Sequence, residues 1–377
     1  MQVPHFLSPS RFVDLLTCKL SVVAPHALQG TLPAAPAALF GTLLHRVVAE
    51  VGDGRWGAAP DAGAAFDNIL KTLTTEHDGG AQPLSAAVGL QRWFTRIARA
   101  RAWALRDAPT RSCGEPRLRY GTEAPASPSE TRVDRGNEAW IVWPEGRLRG
   151  RADRVEEDAT RKLRVIENKS GALRDRTGAL IPEIGVQVGL YALAIDAITG
   201  QPVETVLRGD ELVEVPWDAK THESLQALLE RTLATLPPDA AVAAESIAVA
   251  GPHCRRCRIR PACRTYLRDA PAYWVAQSIN GRMPLDVWGA IRSVQKDGDA
   301  LRVELRDAAG RFVVITGLDL DWGLQDIPAG DPVYFFALET DQQRQHTERV
   351  QPSNFRDAPP GGGSNRRRAF GLRVYTP

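Results

Sequence analysis

The segment GRADRVEEDATRKLRVIENKSG, from Gly150 to Gly171, limits the possible folds more than any other part of the chain. Apolar residues recur over 148–155 and 163–168 on either side of the acidic turn EEDATRK, the pattern of a β-hairpin. Side chains at i and i+2 of a strand share a face, so Glu167 and Lys169 project together, and the hairpin partner brings Asp153 alongside. Two carboxylates and a lysine at one place match the needs of phosphodiester hydrolysis. That reaction uses a divalent cation to polarise the phosphoryl oxygen and acidify water, and a fixed positive charge to steady the charge that develops. Hard oxygen donors suit Mg2+ or Mn2+, with the backbone carbonyl of Asn168 as a further ligand. Taken alone, the same residues are better described as a surface ion-pair cluster on an ordinary hairpin, because such residues are common.

A chain of 377 residues exceeds what one hydrophobic core organises, so two or three domains are expected. Ser8 and Pro9 open a short helix that ends at Cys18, 19–37 reads as a connection, and 39–51 has helical apolar spacing and carries His45. Residues 52–83 are rich in Gly, Ala and Asp. A long basic helix follows over 84–107, bearing Arg92, Arg96, Arg99, Arg101 and Arg106, either a solvated face or a nucleic-acid contact. Strands are predicted over 117–123, 139–143, 148–155 and 163–168, then a helix over 184–198, two more strands and a helix over 219–235. This order indicates an α/β core, closed off by Pro237, Pro238 and an alanine-rich run. Beyond 273, alternating segments at 287–294, 300–306, 312–316 and 333–338 predict a small β-barrel or sandwich. It is either an OB-like barrel that binds single strands or a plain structural module, with Phe312, Phe335 and Phe336 as binding or core aromatics. The tail from Asp357 reads as flexible and basic.

The hairpin motif resembles motifs II and III of the RecB-like branch of the PD-(D/E)XK nucleases, which includes CRISPR-adaptation exonucleases and AddB-type helicase-nuclease subunits. FGTLLHRVV is similar to that branch's Gly-x-x-x-His helix, which implies Gly41 for close packing and His45 as an extra metal ligand. QVGLYAL is similar to its Gln-x-x-x-Tyr helix, which implies that Gln187 and Tyr191, one turn apart, flank the metal site and contact DNA or Lys169. SPSRFVDLLTC, paired with Cys254, Cys257 and Cys263, resembles the split cysteine pattern of the iron-sulfur members. There Cys18, Cys254, Cys257 and Cys263 are implied to hold a [4Fe-4S] cluster that restrains both ends of the nuclease core. From the residues alone a zinc site with His253 as fourth ligand stays open, and Cys113 stands outside the pattern.

The resemblance implies a restriction-endonuclease-like α/β core, a mixed sheet flanked by helices, with a helical insertion at 52–110. The iron-sulfur nuclease domain then covers 1–270, the all-β, OB-like module 273–356, and the tail 357–377. It also implies Asp153, Glu167, His45 and Asn168 as metal ligands, and Lys169, Gln187 and Tyr191 as catalytic partners. The implied activity is metal-dependent exonuclease action on single-stranded DNA or DNA ends, leaving 5′-phosphates, in repair, recombination, CRISPR adaptation or phage defence. The competing function is a non-catalytic DNA-binding subunit of a helicase-nuclease or defence complex. No helicase phosphate loop occurs, so a motor is expected as a separate chain. A net charge of +2 neither demands nor excludes a polyanionic partner. No apolar run is long enough to span a bilayer and the N-terminus has no export signal, so a cytoplasmic location is expected.

Overall fold

The computed structural model describes residues 4–24, 36–75, 84–88, 90–116, 130–158, 160–236, 244–269, 285–306, 310, 312–318, 320, 323–340 and 367–369. Contacts divide the chain into two compact units, residues 2–23 with 35–240, and essentially 241–377 with a short N-terminal segment.

The first unit opens with α1 (Pro9–Thr17), whose start is fixed by Pro9 at the first turn and by Ser8 Oγ accepting from the Arg11 N–H at 3.2 Å. A short helix, α2 (Lys19–Val23), follows where a connection was expected. Helices α3 (Pro36–Gly52), α4 (Ala62–Thr75), α5 (Leu84–Val88) and α6 (Leu90–Asp107) share one apolar core that includes Phe40, Leu44, Val47, Phe66, Leu73 and Trp103. α4 lies in the stretch read as Gly-, Ala- and Asp-rich. Its Phe66, Ile69, Leu70 and Leu73 bury a helical stripe that the small residues around them masked.

A six-stranded sheet, in the order β1 (Arg132–Val133), β2 (Gly136–Trp143), β3 (Leu148–Glu157), β4 (Leu163–Asn168), β5 (Val203–Arg208) and β6 (Leu212–Val215), forms the rest of this unit with the helices packed on it. Neighbours run antiparallel except β4 and β5, which are parallel and joined through α7 (Pro182–Thr199). The sheet is therefore mixed, as expected. Every residue of α7 from Val188 to Ile195 is buried, because α1 and α8 (Ala219–Ala234) pack on the helix as well as the sheet. The strand expected at 117–123 and the Pro237–Pro238 boundary lie outside the described residues.

The second unit contains α9 (Ala244–Ile247), two single-turn helices at Pro252–Arg256 and Arg260–Ala262, and a closed barrel. The barrel runs β10 (Pro332–Thr340), β11 (Arg367–Ala369), β9 (Phe312–Leu318), β8 (Ala300–Arg306) and β7 (Leu285–Asp297), with β7 closing on β10. β11 falls inside the segment expected to be a flexible tail; its three residues pair antiparallel with β10, and Arg367 and Arg368 also pair parallel with β9. Closure of the barrel, which removes two open strand edges, outweighs the weak strand preference of Arg367 and Arg368. Phe335 belongs to the barrel core, while its neighbour Phe336 is buried on the other face with Cys254 and Tyr266. The cysteine segment thus packs against the barrel, and the units part near residue 240, ahead of the boundary read near 270.

Candidate metal and nuclease centre

β3 and β4 pair so that Arg154 faces Ile166 and Val155 faces Val165, which brings Asp153 beside the end of β4. There Asp153 Oδ2 accepts from the Asn168 backbone N–H at 2.6 Å. On its other side Asp153 Oδ1 lies 2.9 Å from His45 Nδ1, so α3 delivers its histidine directly to the hairpin carboxylate. Glu167, 3% exposed, is held by two donors to Oε2: Lys169 Nζ at 3.1 Å and Gln187 Nε2 at 3.2 Å. Lys169 Nζ also donates to Gln187 Oε1 at 2.8 Å, which ties α7 to the strand that carries the lysine.

The electrostatics follow from this crowding. Burial, and then the negative charge of Asp153, push Glu167 up to about 7, with Lys169 opposing. Asp153 goes down: burial works to raise it, but the charge and hydrogen bond of His45, the Lys169 ammonium and the Asn168 N–H outweigh that cost. Burial works to lower His45, yet Asp153 holds its pKa above the ordinary value. One carboxylate of the pair is therefore firmly ionised, while the other takes up protons readily.

Tyr191, expected to contact DNA or Lys169, makes no hydrogen bond to Lys169 among the described residues. Its buried hydroxyl donates to the Arg151 carbonyl at 2.6 Å and so props β3, two residues before Asp153, rather than reaching Lys169. Gly150 allows this approach: a Cβ there would stand 2.9 Å from both Tyr191 Oη and Pro9 Cδ. Gly41 lies near Ser170 Oγ, at a distance a methyl group would tolerate, so the implied need for close packing is mild.

Glu138 is a member of the site that the sequence reading missed. The register pairing Asn137 with Arg154 and Ala139 with Ala152 sets it opposite Asp153 on the adjacent strand. Its φ of 51° is unusual for a residue with a side chain, and burial followed by the charge of Asp153 raises its pKa. Arg151 is its counter-ion at 3.3 Å.

Among the described residues, no three His, Cys, Asp or Glu side chains are arranged as a ready metal-ligand cluster. The expected set of His45, Asp153, Glu167 and Asn168 is brought together, but its donors are engaged with each other and with Lys169 and Gln187. The donor chemistry nevertheless fits a hard divalent cation. Two carboxylates repel one another in a buried place and a histidine adjoins them.

Cys18 caps the C-terminus of α1 and is buried. In the second unit, Cys254 Sγ accepts from the Gly251 N–H and Cys263 Sγ from the Tyr266 N–H, each at 3.4 Å. His253 Nε2 meets the Val249 carbonyl oxygen at 2.9 Å, and Cys113 is exposed with its thiol on the Asp53 carbonyl. A shallow cavity of about 450 Å³, lined by Lys162, Asp196, Trp217 and His222 among others, shares no residue with the centre. No helix among the described residues is long and apolar enough to cross a membrane.

No curated protein matches the chain. A family model, the PD-(D/E)XK nuclease superfamily, matches residues 6–264, a span that takes in the hairpin carboxylates, Lys169, the two helices that meet them and all four expected cluster cysteines. By that match over well more than half its length, the chain belongs to the PD-(D/E)XK nuclease superfamily.

Proposed function

We propose that this protein is a Mg2+- or Mn2+-dependent deoxyribonuclease that hydrolyses single-stranded DNA or DNA ends. The observation that carries the reading is Glu167, a buried carboxylate set beside Asp153 and gripped by Lys169 and Gln187. A purely structural ion pair gains nothing from a second carboxylate at the same place, whereas a divalent cation relieves the repulsion between them.

Asp153 and Glu167 would hold the ion, and His45, with Nδ1 on Asp153, has Nε2 left for a ligand. When bound, the ion polarises the phosphoryl oxygen and lowers the pKa of water. Lys169 keeps an ammonium group fixed between Glu167 and Gln187, ready to orient water and to neutralise charge on the reacting phosphate. Gln187 positions that ammonium, and Tyr191 positions the strand that carries Asp153. The test is degradation of end-labelled DNA with Mn2+ or Mg2+. Asp153→Ala and Lys169→Ala are expected to lower kcat by at least about 100-fold with folding intact, the scale of losing a positioned charge. A wild-type chain that cleaves nothing in any metal but still binds DNA supports the non-catalytic subunit instead.

Cys18, Cys254, Cys257 and Cys263 are read as ligands of a [4Fe-4S] cluster, supported by the backbone N–H groups that point at two of the sulfurs. Anaerobic purification should give a brown protein with iron and sulfide. A colourless protein with stoichiometric zinc removes the cluster. The barrel is read as OB-like, because its strand order, β7-β8-β9-β11-β10, closes on β7 and has a parallel β9–β11 pair. Partner helicase or defence proteins and exonuclease action are parts of the reading supported by the family resemblance, and a cytoplasmic location is read from the sequence features given above.

A further inference from the structure

The basic helix α6 is not uniform around its circumference. Arg92, Arg96 and Arg99, at i, i+4 and i+7, lie along one flank and span about 10 Å of helix axis. Arg101 lies on the other flank, 3.5 Å from the Asp67 carboxylate. The first flank meets the centre directly, because Arg99 Nη1 donates to the carbonyls of Ser170 and Gly171, each at 3.2 Å, and these two residues follow Lys169 in the chain. Arg96 Nη1 is pinned by the Ala37 carbonyl at 2.7 Å, at the start of the helix that carries His45.

Carbonyl partners fix a guanidinium without neutralising it. Among the described residues the one carboxylate paired with any of the three is Asp210, 3.9 Å from Arg99 and itself 58% exposed. Arg92 is exposed and has no ion pair or hydrogen bond among the described residues. The like charges are close enough that burial and then Arg92 and Arg99 lower the pKa of Arg96. A row of mutually repelling cations, two of them held in place by carbonyls, that ends at the loop after Lys169 is what a phosphate backbone would neutralise.

We infer that the Arg92–Arg96–Arg99 flank of α6 is the rail that binds backbone phosphates of the DNA strand being cut, next to the scissile bond. Base edges play no part in such contacts, so the rail gives affinity and register without sequence preference. The inference rests on the nuclease reading and specifies where its substrate runs.

The test measures binding of the full-length chain to a fluorescent single-stranded oligonucleotide in chelator, where no metal-dependent cleavage occurs, across a series of salt concentrations. Arg92→Ala and Arg96→Ala should each weaken binding about three- to tenfold and lower the slope of log affinity against log salt by about 0.7, the value for one lost single-strand phosphate contact. Arg101→Ala, on the other flank of the same helix, should change neither. Arg92 is exposed and makes no ion pair or side-chain hydrogen bond among the described residues, so its variant stays informative if Arg96→Ala unfolds. Unchanged affinity and slope in Arg92→Ala, or an equal loss in Arg101→Ala, overturns the rail while wild-type cleavage leaves the nuclease reading standing. A wild-type chain that neither binds nor cleaves DNA overturns both.

Discussion

Glu167 and Asp153 respond to pH in opposite senses. The folded pKa of Glu167, about 7, lies above its unfolded value, so its contribution to stability is complete in acid and is lost as pH rises through about 7. Asp153 is depressed, and its contribution is present at neutral pH and lost only as pH falls through the acid range. Between about pH 5 and pH 8 Glu167 therefore contributes a loss on the order of 3 kcal/mol as pH rises, and His45 and Glu138, whose pKa values are also raised, add to it in the same direction, so urea unfolding in chelator should show stability falling with pH. Glu167→Gln should flatten that slope, and Mn2+ at high pH should restore the wild-type loss; parallel pH curves for the two proteins would sink the assignment. Glu138 makes a second expectation. Like charges opposed across strands destabilise, so Glu138→Gln should raise stability in chelator by a few tenths to about 1 kcal/mol, and a fall would mean that its Arg151 pair outweighs the repulsion. Asp153, Glu167 and Lys169 were legible in the sequence because strand alternation alone places them. Glu138 was not, since its strand was read as beginning at Ala139 and a left-handed φ at a glutamate leaves no local signature.

Elements place the site by close approach. α1 and α7 reach β3 over Gly150, so Gly150→Ala should cost about 1–3 kcal/mol by forcing Pro9 and Tyr191 back. Gly171→Ala, where a Cβ meets nothing within 4 Å, should stay within about 0.5 kcal/mol of wild type. Chemical denaturation of both, with Trp fluorescence as the signal, distinguishes a packing constraint from a general intolerance of alanine near the hairpin. Helix α3, helix α7, which is apolar all round, and strands β3 and β4 were predicted to within a few residues. α4 was expected only as part of a helical insertion over 52–110, its bounds unread because alanine and glycine dilute its stripe, and β11 was missed because its pairing is enforced by the barrel and not by its own residues.

At the scale of the whole molecule, the family match runs to residue 264, across the division near 240, so family sequence continues into the unit built around the barrel. The link within that unit is a buried pair: Arg260, from the cysteine segment, is bound through two nitrogens to Asp286 of β7, which also accepts from Tyr266 at 2.7 Å. Breaking one side of a buried ion pair leaves an uncompensated charge, so Asp286→Ala should cost about 3–5 kcal/mol. The same change should speed hydrogen exchange at 254–266; exchange there at the wild-type rate would show that the cysteine segment does not depend on the barrel. Phe335 and Phe336 carry a related consequence. A strand with solvent on one side registers itself, because a slip by one residue would strand its apolar side chains in water. β10 has apolar rings facing both ways, so polarity offers it little protection against slippage. Correct alignment must instead come from the irregular pairing with β7 between Phe335 and Leu338, which acts as a mechanical stop.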